Sequence, residues 1–420
     1  MKWKTIGQGL LAVTASLGMG LGVTSCSPSQ TIDYVFVTSN STGTTNGQVS
    51  SYHVDSVSGA LSLVAGSPFP DAGSNPVALV ASPNQQYLYV ANHDSNSIAM
   101  YTIGTDGQLA AGKTYTTPGT EPVSLAMNAA GTMLFVLDYY GPGFSDTTPG
   151  PGALVVYPIN TDGSLGSPVA SAGLAYSTVQ CFPGGVAVTP DGNYAYVSNT
   201  NAVIVTTSPP TTSTPPALPS TCPSQGTISA FAVASSGSLS PVAGSPFAAG
   251  TTPTGIAVDQ TSRFVYTTDS VQNQLIVYSI LQGGSLSPLI NGPFNTGTFP
   301  VGVTVDPRDE YLYVSNYNAS SISEYTISQA TGQPSGLSSA SFSTDDAGPT
   351  CIVVDPAFGR WVYTTDTIGD YIQGGSLNPQ TGVLSTIQNA PYKSIGHATC
   401  LTAVPHGNHS IQTVPITAGQ

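Results

Sequence analysis

The feature that most constrains the fold of this sequence is a segment that recurs seven times. The copy at 300–327 reads PVGVTVDPRDEYLYVSNYNASSISEYTI: an apolar strand, a polar turn, and two further strands of alternating residues. The middle strand begins with an aromatic residue or methionine, at Tyr34, Tyr87, Met133, Tyr194, Phe264, Tyr311 and Trp361. Sheets that repeat at roughly 40–50 residues, or more where loops are inserted, are typical of β-propellers, because one such sheet cannot bury its faces alone.

The two ends of the chain predict how the ring closes. The first copy begins at a second strand, Tyr34, and the last segment, 399–404, has the pattern of a first strand. We therefore predict an all-β, seven-bladed β-propeller over 33–420, closed by the C-terminal strand completing the N-terminal blade. Closure of this kind leaves no exposed strand edge. A Pro/Thr-rich insertion at 200–225 interrupts the fourth blade.

Residues 1–25 have the pattern of an export signal. A positively charged start is followed by an apolar stretch and by Val23-Thr24-Ser25-Cys26, which resembles the lipobox of bacterial lipoproteins. We predict lipidation of Cys26, a short linker at 26–32, and anchoring to a membrane in the bacterial cell envelope. The serine after Cys26 favours the outer membrane. An ordinary cleaved signal with an unmodified cysteine is the alternative.

The low content and acidic balance of charged residues restrict which partners the chain can bind. Only 7% of residues are charged, and the formal net charge is −14. The basic residues outside the signal are scattered along the chain: Lys113, Arg263, Arg308, Arg360 and Lys393. Nucleic-acid binding needs clustered basic residues to displace counterions, so we exclude it. We expect a monomer.

The cysteines predict two disulfides. The third residue of every first strand is small, as expected where seven inner strands converge: Ala78, Ser124, Gly185, Gly255, Gly302, Cys351 and Cys400. Cys351 and Cys400 thus share a register on adjacent blades, which predicts a bond across the closure. Cys181 and Cys222 are predicted to tie the insertion over the channel mouth. Free thiols remain the alternative for the first pair.

The repeats YLYVANHDSNSIAMYTI and YLYVSNYNASSISEYTI resemble the YVTN-type units of the bacterial seven-bladed lactonase family, which includes 6-phosphogluconolactonase-like proteins. The resemblance implies the fold more firmly than the activity, because the repeated residues are those that build blades. Some family lactonases are understood to use His, Glu and Arg around the channel. We call "top" the face where second-to-third-strand loops gather and "bottom" the face of the first-to-second-strand turns. Arg263, Arg308 and Arg360 all fall in bottom turns, which argues against a phosphorylated substrate.

Lactone hydrolysis needs a base for water and a group that stabilises the oxyanion. The predicted catalytic residues on the top face are His397, Glu121 and His93, with Tyr139, Tyr140, Tyr317 and Lys393 as ligand-binding residues. We predict no metal or other cofactor. The second strands end in a ring of carboxylates and amides that could hold Ca²⁺: Asn92, Asp138, Asn199, Asp269, Asn316 and Asp366. Bonding of each side chain to its own turn is the preferred interpretation.

Two functions remain open from the sequence. The first, slightly favoured, is a binding or scaffold module that presents its top face to a protein or glycan. The alternative is a lactonase or related hydrolase with its site at the mouth of the central channel. An enzyme requires a concave site with converging polar groups, whereas a binding module needs only an exposed patch.

Overall fold

The computed structural model describes residues 30–41, 46–200, 222, 224–337, 341–345 and 348–411, with only the backbone at 71 and 72. Within these residues the regular structure is entirely β. The predicted signal at 1–25, Cys26, most of the linker at 26–32 and most of the insertion at 200–225 lie outside the described residues.

The first twelve strands in chain order belong to blades 1 to 3. Blade 1 has β1 (Thr31–Asn40), β2 (Asn46–Asp55), β3 (Leu61–Leu63) and β4 (Phe69–Ser74). Blade 2 has β5 (Pro76–Ala81), β6 (Tyr87–Asn92), β7 (Ser97–Ile103) and β8 (Leu109–Thr116). Blade 3 has β9 (Thr120–Met127), β10 (Met133–Tyr140), β11 (Pro151–Pro158) and β12 (Ser177–Cys181).

The remaining blades each have five strands. Blade 4 has β13 (Pro183–Val188), β14 (Tyr194–Asn199), β15 (Thr227–Val233), β16 (Leu239–Pro241) and β17 (Phe247–Ala248). Blade 5 has β18 (Pro253–Val258), β19 (Phe264–Asp269), β20 (Gln274–Ile280), β21 (Leu286–Pro288) and β22 (Phe294–Asn295). Blade 6 has β23 (Pro300–Val305), β24 (Tyr311–Asn316), β25 (Ser321–Ile327), β26 (Pro334–Gly336) and β27 (Phe342–Ser343). Blade 7 has β28 (Pro349–Val354), β29 (Trp361–Asp366), β30 (Tyr371–Leu377), β31 (Leu384–Thr386) and β32 (Tyr392–Lys393), and the chain returns to blade 1 as β33 (His397–Pro405).

The predicted closure is confirmed. β33 pairs antiparallel with β1 from Asn40↔His397 to Asp33↔Pro405, so the sheet order of blade 1 is β33-β1-β2-β3. The inner strands contact one another in the cycle β33, β5, β9, β13, β18, β23, β28 and back to β33. The structure adds one feature that the repeats did not predict: in five blades a short extra strand (β4, β17, β22, β27 or β32) pairs with the third strand.

The inner strands lie so close together that their third residue must be small. A Cβ on Gly255 would lie 2.6 Å from the carbonyl oxygen of Val301, and one on Gly302 would lie 2.4 Å from that of Thr350. Both predicted disulfides are present, with Cα atoms 5.1 Å apart for Cys351–Cys400 and 5.5 Å for Cys181–Cys222. The first covalently joins the inner strands of blades 7 and 1.

Neighbouring blades are joined by aromatic rings that cover glycines. The first aromatic residue of a second strand lies on a left-handed glycine in the third-to-fourth-strand turn of the following blade: Tyr34 on Gly107, Tyr87 on Gly163, Tyr194 on Gly284, Phe264 on Gly332, Tyr311 on Gly382 and Trp361 on Gly59. Two residues further along, tyrosine hydroxyls donate to the carbonyl of such a glycine, as in Tyr313 Oη to Gly382 O at 2.8 Å. The aromatic residues are therefore mainly structural, as the alternation in the sequence predicted.

Candidate functional site at the top of the channel

The top rim of the channel is built from two repeated positions. The first rim position lies three residues before the small residue of each inner strand: Asn75, Glu121, Phe182, Thr252, Phe299, Gly348 and His397. The second rim position lies six residues after the first aromatic residue or methionine of each second strand: Asn40, His93, Tyr139, Thr200, Ser270, Tyr317 and Thr367. A backbone hydrogen bond holds the two positions of one blade together, as in His93 N–H to Asn75 O at 3.0 Å and Tyr317 N–H to Phe299 O at 2.9 Å.

The first rim position has an unusual backbone. Five of its seven residues have positive φ, including Glu121 at 57° and Phe299 at 56°. This conformation is costly for residues with large side chains, so neighbouring groups must hold it. Asn96 Oδ1 accepts the Glu121 N–H at 2.6 Å, and Asn273 Oδ1 accepts the Phe299 N–H at 2.8 Å. The left-handed turn thereby places the Glu121 side chain beside the second rim position of the preceding blade.

His93 of blade 2 and Glu121 of blade 3 form a pair across the blade boundary. His93 Nε2 lies 3.6 Å from Glu121 Oε2, and the other ring nitrogen, Nδ1, lies 2.7 Å from Asp94 Oδ1. Because a carboxylate can only accept, Nδ1 carries a proton toward Asp94 and Nε2 faces Glu121. The two side chains remain partly open to solvent, with 28% of His93 and 19% of Glu121 exposed.

Amide groups from blade 2 itself and from blade 1 orient this pair. Asn75 Nδ2 donates to Asp94 Oδ1 at 3.1 Å, and Asn40 Nδ2 donates to Asn75 Oδ1 at 3.2 Å. A hydrogen-bonded chain thus runs along the rim from Asn40 through Asn75 and Asp94 to His93. Such a chain holds an imidazole in one orientation and one tautomer.

The surroundings of Glu121 favour its protonated form. Burial raises the pKa of Glu121, nearby Asp146 and Asp94 raise it further, and His93 opposes these effects. Burial also raises the pKa of Tyr139, with contributions from Tyr140, Glu121 and Asp146. The Tyr139 hydroxyl therefore keeps its proton at neutral pH and can donate a hydrogen bond. A base, an acid and a hydroxyl donor are thus gathered on blades 2 and 3.

An aromatic cluster with a disulfide lies next to this pair. The Tyr139 ring is 4.9 Å from that of Tyr140 and 5.6 Å from that of Phe182. Tyr140 is buried and donates from Oη to Asp146 Oδ1 at 3.1 Å, and Cys181 and Cys222 pack against the cluster. Tyr140 is therefore a buried residue beside the site, whereas the Tyr139 side chain is only half-buried.

The other predicted site residues lie elsewhere on the top face. His397 Nδ1 is 2.8 Å from Asp370 Oδ1, and this pair joins blades 7 and 1 rather than contacting Glu121. Lys393 lies on an outer strand with its Nζ 5.7 Å from the centre of the Tyr371 ring. Tyr317 takes the second rim position of blade 6. The structure therefore brings together two of the three predicted catalytic residues, His93 and Glu121.

All three arginines lie in bottom turns, as predicted. Arg308 Nε contacts Asp306 Oδ2 at 2.9 Å, Arg263 Nε donates to Thr261 Oγ1 at 2.8 Å, and the Arg360 guanidinium lies 5.7 Å from the Phe358 ring. The described part of the top rim therefore carries carboxylates and one outlying lysine, but no arginine.

Four of the six carboxylates and amides at the ends of the second strands bond to groups of their own blade or of the loop that leads into it: Asp138, Asn199, Asp269 and Asn316. Asp269 accepts from the N–H groups of Val271 and Gln272 in its own turn, and from Thr251 N–H in the preceding loop. Asn316 Nδ2 instead donates to Ser323 Oγ at 2.9 Å on the third strand. Across the described ranges, no three His, Cys, Asp or Glu side chains are grouped as a metal site would require, and no helix long and apolar enough for a membrane is present.

Sequence reasoning did not find the residues that orient the candidate pair, which are Asp94, Asn75 and Asn40. Asp94 was adjacent to His93 in the sequence, and that proximity was the one available signal. Asn75 precedes a proline and resembles an ordinary turn residue, so its bond to Asp94 becomes visible only in the folded blade.

Comparison with known proteins identifies the family. The sequence profile of "Lactonase, 7-bladed beta-propeller" matches residues 34–180 and 226–403. The chain belongs to this family. A comparison with curated protein sequences finds no match.

Solved structures with the same fold include two from bacteria. A periplasmic gluconolactonase from Pseudomonas aeruginosa has a TM-score of 0.69 and 18% identity, over 90% of this chain and 100% of that one. A proposed 6-phosphogluconolactonase from Bacteroides fragilis has a TM-score of 0.67 and 17% identity, over 89% and 98% of the two chains. At this identity the likeness shows a shared fold alone.

Proposed function

We propose that this propeller hydrolyses an uncharged lactone at the top rim of its channel, between blades 2 and 3. The observation that carries the proposal is the His93–Glu121 pair, 3.6 Å apart, with the raised pKa of Glu121 and with Asp94 fixing the imidazole. Ionisable groups with shifted pKa values that remain partly exposed are candidates for catalytic groups. Membership in a lactonase family supports the reaction class.

The pair supplies the proton transfers of ester hydrolysis. Whichever of His93 and Glu121 is unprotonated on the facing atom takes a proton from water as the water oxygen bonds to the lactone carbonyl carbon. The tetrahedral intermediate then expels the ring oxygen, which receives that proton and becomes the hydroxyl of a hydroxy acid. The Tyr139 hydroxyl is the proposed donor to the oxyanion, since its raised pKa keeps it protonated.

The carboxylates on the top rim favour an uncharged substrate. Asp94 and Glu121 lie at the pair, Asp370 lies further along the rim, and no arginine is present on the described top face. A phosphate or carboxylate would approach these carboxylates without a bidentate partner, which costs binding energy. This chain is therefore proposed to differ in substrate from a 6-phosphogluconolactonase.

The test compares two substrates and two variants. Purified protein lacking 1–25 is assayed in a pH-stat with glucono-δ-lactone and 6-phosphoglucono-δ-lactone, each against a buffer blank. We expect turnover of the first only. Glu121→Gln should lower kcat by about a hundredfold or more, the usual effect of losing a general acid or base, whereas His397→Gln should leave kcat unchanged.

The outcomes distinguish the candidate sites and functions. Loss of activity with His397→Gln alone would move the site to the His397–Asp370 pair. Absence of turnover with every lactone would remove the hydrolase proposal and leave the binding or scaffold role at the top face as the working hypothesis.

We also propose that the chain is exported and anchored to the cell envelope through a lipid on Cys26. The lipobox-like Val23-Thr24-Ser25-Cys26 and the two disulfides, which form in oxidising compartments, support this location. Radioactive palmitate should label the full-length chain and not Cys26→Ser. Equal labelling of both would exclude Cys26 as the anchor.

A further inference from the structure

The rim opposite the His93–Glu121 pair has a different chemistry. Four of the nine residues at the same two rim positions of blades 5 to 7, and at the residue that follows the second one, have large apolar or aromatic side chains. We call these the apolar arc: Val271, Phe299, Tyr317 and Ile368. Phe299 is equivalent in the repeat to Glu121, Tyr317 to His93, and Val271 and Ile368 to Asp94. The repeat therefore places these side chains at the same level of the rim as the proposed catalytic pair.

Phe299, Tyr317 and Ile368 lie side by side in the apolar arc, and the described parts of the chain leave Ile368 and Val271 exposed. The rings of Phe299 and Tyr317 lie 6.2 Å apart. Tyr317 and Ile368 meet over Gly348, where a Cβ would lie 2.8 Å from Ile368 Cδ1 and 3.1 Å from Tyr317 Cε2. Ile368 is nevertheless 63% exposed and Val271 54% exposed. Isolated exposed apolar residues are ordinary, but several on one side of a channel mouth form a patch.

The position of the arc limits what can occupy it. A ligand held with its carbonyl at His93 and Glu121 lies on the side of blades 2 and 3, so only a substituent that extends across the mouth can reach blades 6 and 7. Charged or strongly hydrated groups there would lose water against apolar side chains without gaining a partner. A hydrocarbon chain would instead gain from leaving water.

We propose that the substrate of the site is an uncharged lactone that carries a hydrocarbon substituent, and that the apolar arc contacts this substituent. The inference rests on the proposed lactone hydrolysis and adds the class of substrate. Tyr317 is then a specificity-determining residue, as are Val271 and Ile368. None of the three takes part in the proton transfers.

The experiment uses three lactones of the same ring size. δ-Valerolactone has no substituent, δ-decanolactone carries a pentyl chain, and glucono-δ-lactone carries hydroxyl groups. Rates are measured in a pH-stat against buffer blanks with the protein lacking 1–25. The wild type should show a kcat/KM for δ-decanolactone at least tenfold above that for δ-valerolactone, within the range expected for apolar pocket contacts of about 1–3 kcal/mol.

Variants assign the preference to the apolar arc. The double variant Val271→Thr/Ile368→Thr keeps β-branched side chains but makes them polar, and it should lower kcat/KM for δ-decanolactone about five- to tenfold while leaving δ-valerolactone unchanged. The matched control is Val57→Thr, a valine 71% exposed on the bottom face, which should change neither rate.

The two proposals fail in different ways. Hydrolysis of all three lactones without preference for δ-decanolactone, or a preference that the double variant retains, would overturn the apolar subsite and leave the proposed hydrolysis intact. Absence of hydrolysis above the blank for every lactone would overturn the proposed function and this inference with it.

Discussion

Substitution of Gly59 tests the closure of the ring, because this glycine of blade 1 packs under the Trp361 ring of blade 7. Gly59 has φ of 70°, and a Cβ added there would lie 2.5 Å from Trp361 Cδ2. Gly59→Ala therefore combines a left-handed alanine with a clash against a buried indole. The matched control is Gly192→Ala, since Gly192 has φ of 75° and nothing within 4 Å of the added Cβ.

The magnitude follows from separating the two costs. A left-handed alanine costs about 1 kcal/mol, and this applies to both variants. Overpacking of a filled site costs about 1–3 kcal/mol more, and this cost applies only to Gly59→Ala, because only that Cβ meets the indole. We therefore expect Gly192→Ala to lower the free energy of unfolding by about 1 kcal/mol and Gly59→Ala to lower it by about 2–4 kcal/mol.

Trp361 also supplies the assay. The chain has two tryptophans, and removal of 1–25 removes Trp3, so the fluorescence of the remaining protein reports on Trp361 alone. Urea unfolding followed at the indole emission gives both free energies, and Gly59→Ala should also shift the emission of the folded protein. Equal destabilisation by the two alanines would refute the packing of blade 7 on blade 1 described above.

Two further predictions concern buried polar groups. Tyr313→Phe removes the 2.8 Å bond to Gly382 O and should lower the free energy of unfolding by about 1–3 kcal/mol in urea; an unchanged value would mean that the bond contributes no net stability. Burial raises the pKa of Asp138 and of Asp366 to about 8. Between pH 5 and 7 each carboxyl group is therefore protonated in the folded protein, whereas in the unfolded chain, where its pKa is near 4, it is ionised. Stability should therefore fall as the pH rises from 5 to 7, by about 1.4 kcal/mol per pH unit for each group. Asp366→Asn should remove its share of that slope, and an identical slope in urea titrations of wild type and variant would contradict the raised pKa.

The architecture was largely predictable because it depends on periodic features of the chain. The number of blades follows from counting the segments that begin at Tyr34, Tyr87 and their equivalents, and the closure follows from the strand type at each end. The two disulfides followed from register on that ring. The extra fifth strands were not predicted, because two-residue strands such as Phe247–Ala248 are too short for a periodic signal.

The candidate site was predictable only in part. His93 and Glu121 were both identified as top-face residues, but the sequence favoured His397 as the base with Glu121 as its partner. In the structure His397 contacts Asp370 and Glu121 contacts His93. The roles of these residues in catalysis remain predictions that the lactone assays test.

The sequence by itself determined that this chain closes into seven sheets and which residue types reach the top rim, because strand periodicity and inner-strand register are local properties. Only the tertiary structure decided which rim side chains meet. That choice depends on the left-handed turn at Glu121 and on how one sheet is placed against the next, neither of which has a local signal. The polar pair on blades 2 and 3 and the apolar arc on blades 5 to 7 consequently became visible only once the ring was closed.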